Sequence, residues 1–287
     1  MKEIVVLSGK GGTGKTSLVA ALACLVDDKV LADCDVDAAN LHLLLQPEVE
    51  SEAPFISGVK ARVVEEQCTG CSTCFDLCRF DAVRMNGTAT ILRASCEGCG
   101  VCAEFCDQEA IVLDANHCGT VYRSRTAYGP FVHARLFAGE ENSGKLVAHV
   151  RRLAREAAEQ AGAKYILVDG APGIGCPVIA SVSNASAVLV VTEPTLSGLH
   201  DLDRVLDLAA HFKVPAFVCI NRWDLFPEKA DEIAGRCKGK NVPLLGRIPF
   251  AEEVVASQLA TVPLLRYSNG PAAAAVRRIW QELAARL

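Results

Sequence analysis

Gly9-Lys10-Gly11-Gly12-Thr13-Gly14-Lys15-Thr16 is the most informative run in this chain of 287 residues. It follows an apolar segment, Glu3–Ser8, that reads as a strand. It precedes Leu18, Leu22 and Leu25, which recur at helical spacing. The run fits GxxxxGK closed by Ser or Thr, and strand, glycine loop and helix in that order are the setting this phosphate-binding motif needs. Glycines let backbone N–H groups close around phosphate oxygens, and the helix N-terminus adds the positive end of its dipole. Lys15 is placed to reach the β- and γ-phosphates, and the Thr16 hydroxyl to sit on Mg²⁺. Gly9, Lys10, Gly11, Gly12, Thr13, Gly14 and Ser17 complete the expected nucleotide cradle. A chance glycine-rich turn would not supply lysine and hydroxyl together at their fixed positions.

Lys10 is an additional lysine. Lys-Gly-Gly-x-Gly-Lys-Thr resembles the deviant Walker A loop of the MinD/ParA/Mrp/nitrogenase-iron-protein family. In that family the early lysine reaches the nucleotide of the partner subunit. The resemblance therefore implies ATP and ADP as ligands and a homodimer, or a heterodimer with a homologous ATPase, in the ATP state. It also implies slow, partner-stimulated hydrolysis to ADP and phosphate. Further matches follow in order. Val30-Leu31-Ala32-Asp33 reads as a strand, and Asp33-Cys34-Asp35-Val36-Asp37 is similar to switch I. Asp35 matches the residue that orients the attacking water, with Asp37 the second candidate and a solvated acidic loop the plain alternative. Tyr165–Asp169 with Gly170-Ala171-Pro172-Gly173 looks like Walker B and switch II. There Asp169 would hold Mg²⁺ through water, and the Gly173 N–H would sense the γ-phosphate. Val218–Arg222 and Arg247–Phe250 resemble adenine-facing loops, with Asn221 on the base edge and Arg222 and Pro249 beside it. Lys10, Lys15, Asp35 and Asp169 form the implied catalytic set.

The chain has 14 cysteines, and eight of them lie between 68 and 106. They form Cys68-x2-Cys71-x2-Cys74-x3-Cys78 and Cys96-x2-Cys99-x2-Cys102-x3-Cys106, two runs offset by 28 residues. Gly70 and Gly98 precede the second cysteine of each run, and Ala82-Val83 and Ala110-Ile111 follow the runs. This is an internal duplication of one small unit. In a reducing compartment, clustered cysteines are more often metal ligands or redox groups than disulfides. Soft thiolates suit Fe–S clusters. Two zinc sites or simple buried thiols are the alternatives, but zinc ribbons use paired CxxC rather than a triple run with a trailing cysteine. The segment resembles bacterial-type ferredoxins with two 4Fe–4S clusters. That resemblance implies Cys68, Cys71, Cys74 and Cys106 for one cluster and Cys96, Cys99, Cys102 and Cys78 for the other. Arg79 and Asp107 stand where the ferredoxin pattern usually has proline.

The phosphate loop and switch I precede the cysteine runs, and Walker B follows them. The expected architecture is α/β: a mostly parallel P-loop sheet with helices on both faces, formed by 1–57 and 117–287 and interrupted at 58–116 by the ferredoxin (α+β) insert. Strands are expected near 165–169, 187–192, 216–221 and 244–248. Helices are expected near 142–161, with 139–145 as a helix start, and near 197–212, 227–237, 251–258 and 270–286. A hydrophobic content of 51% excludes disorder. No apolar run reaches the roughly 18 residues of a spanning helix. The N-terminus shows no signal-peptide pattern, so a cytoplasmic protein is expected, and the clusters imply an anaerobic host. The net charge of -5 argues against nucleic acid as a partner. Residues 58–115 hold five Lys or Arg and nine Asp or Glu, so most of that negative charge lies in the insert.

Val276, Ile279, Trp280, Leu283 and Leu287 form a C-terminal apolar stripe beside Arg277, Arg278 and Arg286. MinD uses such a helix on membranes, but packing on the sheet is the expectation here. Of the remaining cysteines, Cys24, Cys34, Cys118, Cys219 and Cys237 read as small buried hydrophobes. Cys176 matches the position of a cluster-bridging cysteine in the nitrogenase iron protein. A core or loop thiol is the plainer reading. The main functional expectation is a nucleotide-driven dimer cycle coupled to delivery of electrons or a metallocluster to a partner protein. The alternative is a MinD/ParA-like spatial regulator with structural or oxygen-sensing clusters. ATP-dependent amidation, as in cobyrinate diamide synthases, would need a glutaminase domain for which the chain leaves no room.

Overall fold

The computed structural model describes residues 1–141 and 143–287, so position 142, the first residue of an expected helix, lies outside them. The first half of the chain forms β1 (Lys2–Ser8), α1 (Lys15–Ala23), β2 (Lys29–Asp33), α2 (Leu41–Leu45), β3 (Glu48–Val63), α3 (Thr73–Leu77), β4 (Val83–Asn86), β5 (Thr88–Ile91), α4 (Val101–Glu104), β6 (Ile111–Thr126) and β7 (Gly129–Leu136). The second half forms α5 (Ser143–Ala161), β8 (Tyr165–Pro172), α6 (Cys176–Val182), β9 (Ala187–Thr192), α7 (Leu196–His211), β10 (Ala216–Asn221), α8 (Pro227–Gly239), β11 (Leu244–Ile248), α9 (Glu252–Leu259), α10 (Leu264–Tyr267) and α11 (Pro271–Ala284).

Every residue of β9, and every residue of β1 after Lys2, is buried. Continuous burial rather than alternation marks strands covered on both faces. They lie in a nine-stranded sheet of order β11-β10-β9-β1-β8-β2-β7-β6-β3. The pairings from β11 to β7 are all parallel. The four strands expected from the second half all form, close to their expected limits. The long strands β3 and β6, and β7 after them, were not foreseen.

The chain divides into two units: residues 1–53, 121–135 and 143–287, and residues 54–120 with 136–142. In the first, α1 and α11 cover one face of the sheet with Leu18, Leu22, Val276, Ile279 and Leu283 in a common core with Ile4, Leu31 and Leu189. Gly246 in β11 lets α11 approach closely, because a Cβ there would stand 2.8 Å from Ile279 Cγ1. The apolar stripe of the C-terminal helix is thus used in the core, as expected. No helix among the described residues is long and apolar enough to cross a membrane. In the second unit, β4 and β5 form an antiparallel pair. Ala61, Cys74, Val83, Ala89 and Ile111 make its small core, with partly buried cysteines packed around them.

His133 in β7 is buried, stacked on Phe131 and Tyr122 at centroid distances of 4.5 and 4.9 Å, with Nε2 3.1 Å from Ser124 Oγ. Burial, with the His42 ring as a second cause, lowers its pKa from 6.5 to about 4. Between those values the unfolded imidazole binds a proton and the folded one does not. Stability therefore falls as the pH drops through this window. At 1.36 kcal/mol per pKa unit the loss is about 3 kcal/mol. His133→Gln keeps a partner for Ser124 and removes the titration. Urea unfolding at pH 7 and pH 4 should show the stability difference shifting by about 3 kcal/mol in the variant's favour. A difference independent of pH would refute this.

Candidate functional site

The candidate nucleotide site is built at the C-terminal ends of parallel strands, where open α/β sheets place their ligands. β1 runs into the glycine loop, and α1 begins at Lys15. Gly14 caps that helix at φ 92°, in the left-handed region, and a Cβ on it would stand 2.4 Å from Asn221 Nδ2. Glycine is required there on both counts. A Cβ on Gly9 would strike the Cβ of Asp201 at 2.1 Å.

Lys15 is 6% exposed, and its Nζ lies 2.8 Å from Asp169 Oδ1 and 3.4 Å from Asp35 Oδ2. Asp33 and Asp169 are register partners on adjacent strands, so the parallel pairing itself brings these acids together. Asp33 Oδ1 accepts from Asp35 N at 3.0 Å and Oδ2 from Leu41 N at 3.2 Å, which fixes the start of switch I. Burial, then the neighbouring Asp169, pushes the Asp33 carboxyl well above its ordinary range. Burial also raises Asp35. For Lys15, burial lowers the pKa, but Asp169 and Asp35 outweigh it and the net shift is upward. Asp169 Oδ2 and Thr13 Oγ1 are buried without hydrogen-bond partners. One ammonium among three carboxylates leaves room for a divalent cation, and Asp169 Oδ2 is a ready acceptor for its water. Of the two switch I candidates, Asp35 contacts Lys15 and Asp37 is exposed.

An open cavity is lined by Gly11–Ser17, Asp35, Asn40, Pro172 and Arg222, among others. A neighbouring, smaller cavity is lined by Asn221, Arg222, Ile248, Pro249, Phe250 and Gln258, again among others. The loops expected to face adenine therefore surround one cavity, next to the phosphate loop. Asn221 uses its amide otherwise than on a base, donating to Thr13 O at 2.8 Å, while its Oδ1 accepts from Arg222 N at 3.0 Å. The Gly173 N–H donates to Ser8 O at 2.9 Å. Sequence reasoning missed Gln258, which donates to Ser17 Oγ at 2.6 Å, and Glu193, which pairs with both Lys10 and Arg222. Glu193 directly follows β9, and an acid at a strand end is the signal that also marks Asp33 and Asp169.

In the second unit the eight clustered cysteines surround two cavities. Cys68, Cys71, Cys74 and Cys106 line one, with Met85, Ala89 and Ile111 among its apolar walls. Cys78, Cys96, Cys99 and Cys102 line the other, with Phe80, Val83 and Ile91. Gly70 and Gly98 both have positive φ, 73° and 65°, and a Cβ would strike the carbonyl oxygen of Gly87 at 2.2 Å or Val59 at 1.9 Å. Backbone N–H groups point at sulfur, Ala89 to Cys68 Sγ and Ala61 to Cys96 Sγ at 3.5 Å, and Ala82 to Cys78 Sγ at 3.4 Å. The Thr73 hydroxyl, 3.5 Å from Cys71 Sγ, lowers that thiol's pKa. Among the described residues, no three His, Cys, Asp or Glu side chains converge as a site for a single metal ion. The structure thus adds support to neither the two-zinc nor the iron–sulfur reading of these cysteines.

Of the other cysteines, Cys34, Cys118, Cys219 and Cys237 are buried and Cys24 is half-buried. Burial pushes Cys219 up to about 12 and Cys237 up to about 11, as for inert core thiols. Cys176 is exposed at the first residue of α6.

Comparison with known proteins agrees with the phosphate-loop architecture. An uncharacterized protein of Methanocaldococcus jannaschii is 35% identical over 225 residues, covering 77% of this chain and 78% of that protein. The cell division ATPase MinD of Pyrococcus furiosus superposes with a TM-score of 0.60 at 19% identity over 100% of this chain and 99% of that one. The septum site-determining protein MinD of Pyrococcus horikoshii OT3, solved with Mg-ADP, gives 0.59 at 18% identity over 98% and 95%. At these identities the two structures are evidence of fold alone. Residues 4–264 match the CobQ/CobB/MinD/ParA nucleotide binding domain, and the chain belongs to that family.

Proposed function

We propose that this protein is an ATP-dependent switch of the MinD/ParA kind whose inserted unit, near 58–116, carries two 4Fe–4S clusters. The observation behind the switch is the Lys15 ammonium, held by Asp169 and Asp35 beside the phosphate-loop cavity. ATP would draw Lys15 from these acids to its β- and γ-phosphates. Mg²⁺ would be held by Thr16 and, through water, by Asp169. Asp35, released from Lys15, would orient the attacking water. The Gly173 N–H would leave Ser8 O to meet the γ-phosphate. Both switches would therefore exchange internal bonds for bonds to ATP, and hydrolysis would reverse the exchange. Lys10 reaching a partner's nucleotide would make the dimer ATP-dependent.

The clusters rest on the cysteines alone, since the relatives speak for the nucleotide site. The observation behind them is that each cavity has four cysteines, in the pairing of three plus one that two-cluster ferredoxins use. The glycine turns would present the thiolates, the backbone N–H groups would stabilise their charge, and the apolar walls would exclude water. When bound, each cluster supplies a one-electron carrier.

The comparisons favour a MinD/ParA-like regulator over electron transfer as the output of this cycle. In that reading the clusters are structural or sense oxygen. The main expectation, delivery of electrons or a metallocluster to a redox partner, keeps one argument. It is the resemblance of the eight cysteines to two-cluster ferredoxins, whose clusters carry electrons. ATPase assays on anaerobic protein with and without reductant separate the two. A rate unaffected by cluster redox state supports the regulator, and a clear dependence supports coupling.

Lys15→Ala should weaken ATP binding on the order of a hundredfold in calorimetry, the loss expected for charged hydrogen bonds to phosphate. An unchanged affinity would dismiss the nucleotide site as assigned. Anaerobically reconstituted protein should hold about eight iron and eight sulfide per chain. Cys71→Ala should lose about half of that iron while retaining ATP binding. One or two zinc ions per chain in place of iron would sink the cluster assignment.

A further inference from the structure

Glu193 lies one residue past the end of β9 and is 9% exposed. Its Oε2 is 3.5 Å from Lys10 Nζ, and its Oε1 accepts from Arg222 Nη1 at 2.6 Å. One carboxylate thus ties the lysine of the phosphate loop to the arginine that lines both nucleotide cavities. Lys10 has two more acceptors nearby, Ser197 Oγ at 3.2 Å and Thr195 Oγ1 at 3.5 Å. This acceptor loop is itself fixed. Thr195 Oγ1 caps α7 by accepting from Gly198 N at 2.9 Å, and a Cβ on Gly198 would strike Glu193 O at 2.3 Å. Lys10 is therefore not a free lysine on a mobile loop. A nearly buried carboxylate and two hydroxyls hold it on its own subunit.

That arrangement has a consequence for a lysine that must reach a second subunit. The acceptors at 193–197 and the partner's nucleotide compete for a single ammonium. We propose that Glu193 is a positioning residue that holds Lys10 on its own subunit and so sets the threshold for ATP-dependent dimerisation. The assignment rests on the dimer reading given above. Because Arg222 shares the carboxylate, Glu193 is partly neutralised where its charge would otherwise hold Lys10 most strongly. The hold can then be broken by ATP binding without a rearrangement of β9.

The test uses the full chain with its clusters, in Glu193→Gln, which keeps an acceptor for Arg222 and removes the negative charge. In nucleotide-free protein, reductive methylation of Lys10, read by mass spectrometry, should proceed several-fold faster than in the wild type. With ATPγS, sedimentation should show dimerisation about fivefold tighter, in line with the loss of one partly buried ion pair. If Glu193→Gln fails to fold, Ser197→Ala removes another acceptor of Lys10 and should shift both readouts the same way by less. Unchanged labelling, or dimerisation equal to or weaker than wild type in a folded variant, overturns the assignment. Wild-type protein that binds ATPγS and stays monomeric overturns the dimer reading and the threshold with it. The labelling result then tells the two failures apart.

Discussion

The nucleotide half of this molecule depends on how one buried ammonium is balanced. β2 and β8 pair in parallel with Asp33 beside Asp169, so two carboxylates are forced together in the sheet interior. Neither has bulk water to stabilise its charge, and burial pushes Asp33 toward its neutral form. Lys15 relieves part of this and is itself kept charged by the same acids. The arrangement holds only while Lys15 stays, or while another cation replaces it. In the proposed cycle, a phosphate group that takes Lys15 away would leave these acids to a divalent cation or to protonation. The pairing of Mg²⁺ with nucleotide would then follow from charge balance as much as from the coordination chemistry of phosphate.

Topology extends this constraint to the rest of the site. Ser8, Asp33, Thr192, Asn221 and Ile248 all end parallel strands on the same edge of the sheet. A residue just past any of these ends faces the same region, whichever loop it belongs to. This is why residues as distant in sequence as Lys10, Glu193 and Arg222 form one ion-pair group. It is also why the order of weak motifs along the chain was informative. Each motif was a strand end, and the sheet supplied the proximity that spacing could not.

What could be read beforehand divides along physical lines. Strands buried on both faces announce themselves as apolar runs, so β8 to β11 were found nearly to the residue. β3, β6 and β7 do not. In β6, buried positions are scattered among Asp114, Asn116, His117, Arg123 and Arg125, and no simple period marks it. The segment 136–142 was likewise expected in the ATPase domain. It groups instead with 54–120, where Glu140 accepts from Lys60 Nζ at 3.0 Å and from Asn116 Nδ2 at 2.6 Å. Long-range polar bonds of this kind leave no local pattern. The internal bonds of Asn221 and Gly173 were also illegible, since motif matching names the group a residue binds in one state and not its partner in another.

The cysteines test the limits of sequence reading differently. Spacing alone allows zinc, inert thiols or clusters. Packing adds that the glycine in each run is sterically compulsory. Any side chain at Gly70 or Gly98 would collide with a backbone carbonyl, so the turns cannot be relaxed coil. The turns place three cysteines of one run and the last cysteine of the other around each cavity. A mononuclear metal requires ligands converging within about 2.3 Å of one centre, whereas a cubane spreads its four ligands over separate corners. Among the described residues no three such ligands converge on one centre, and the cluster reading rests on the cysteine spacing.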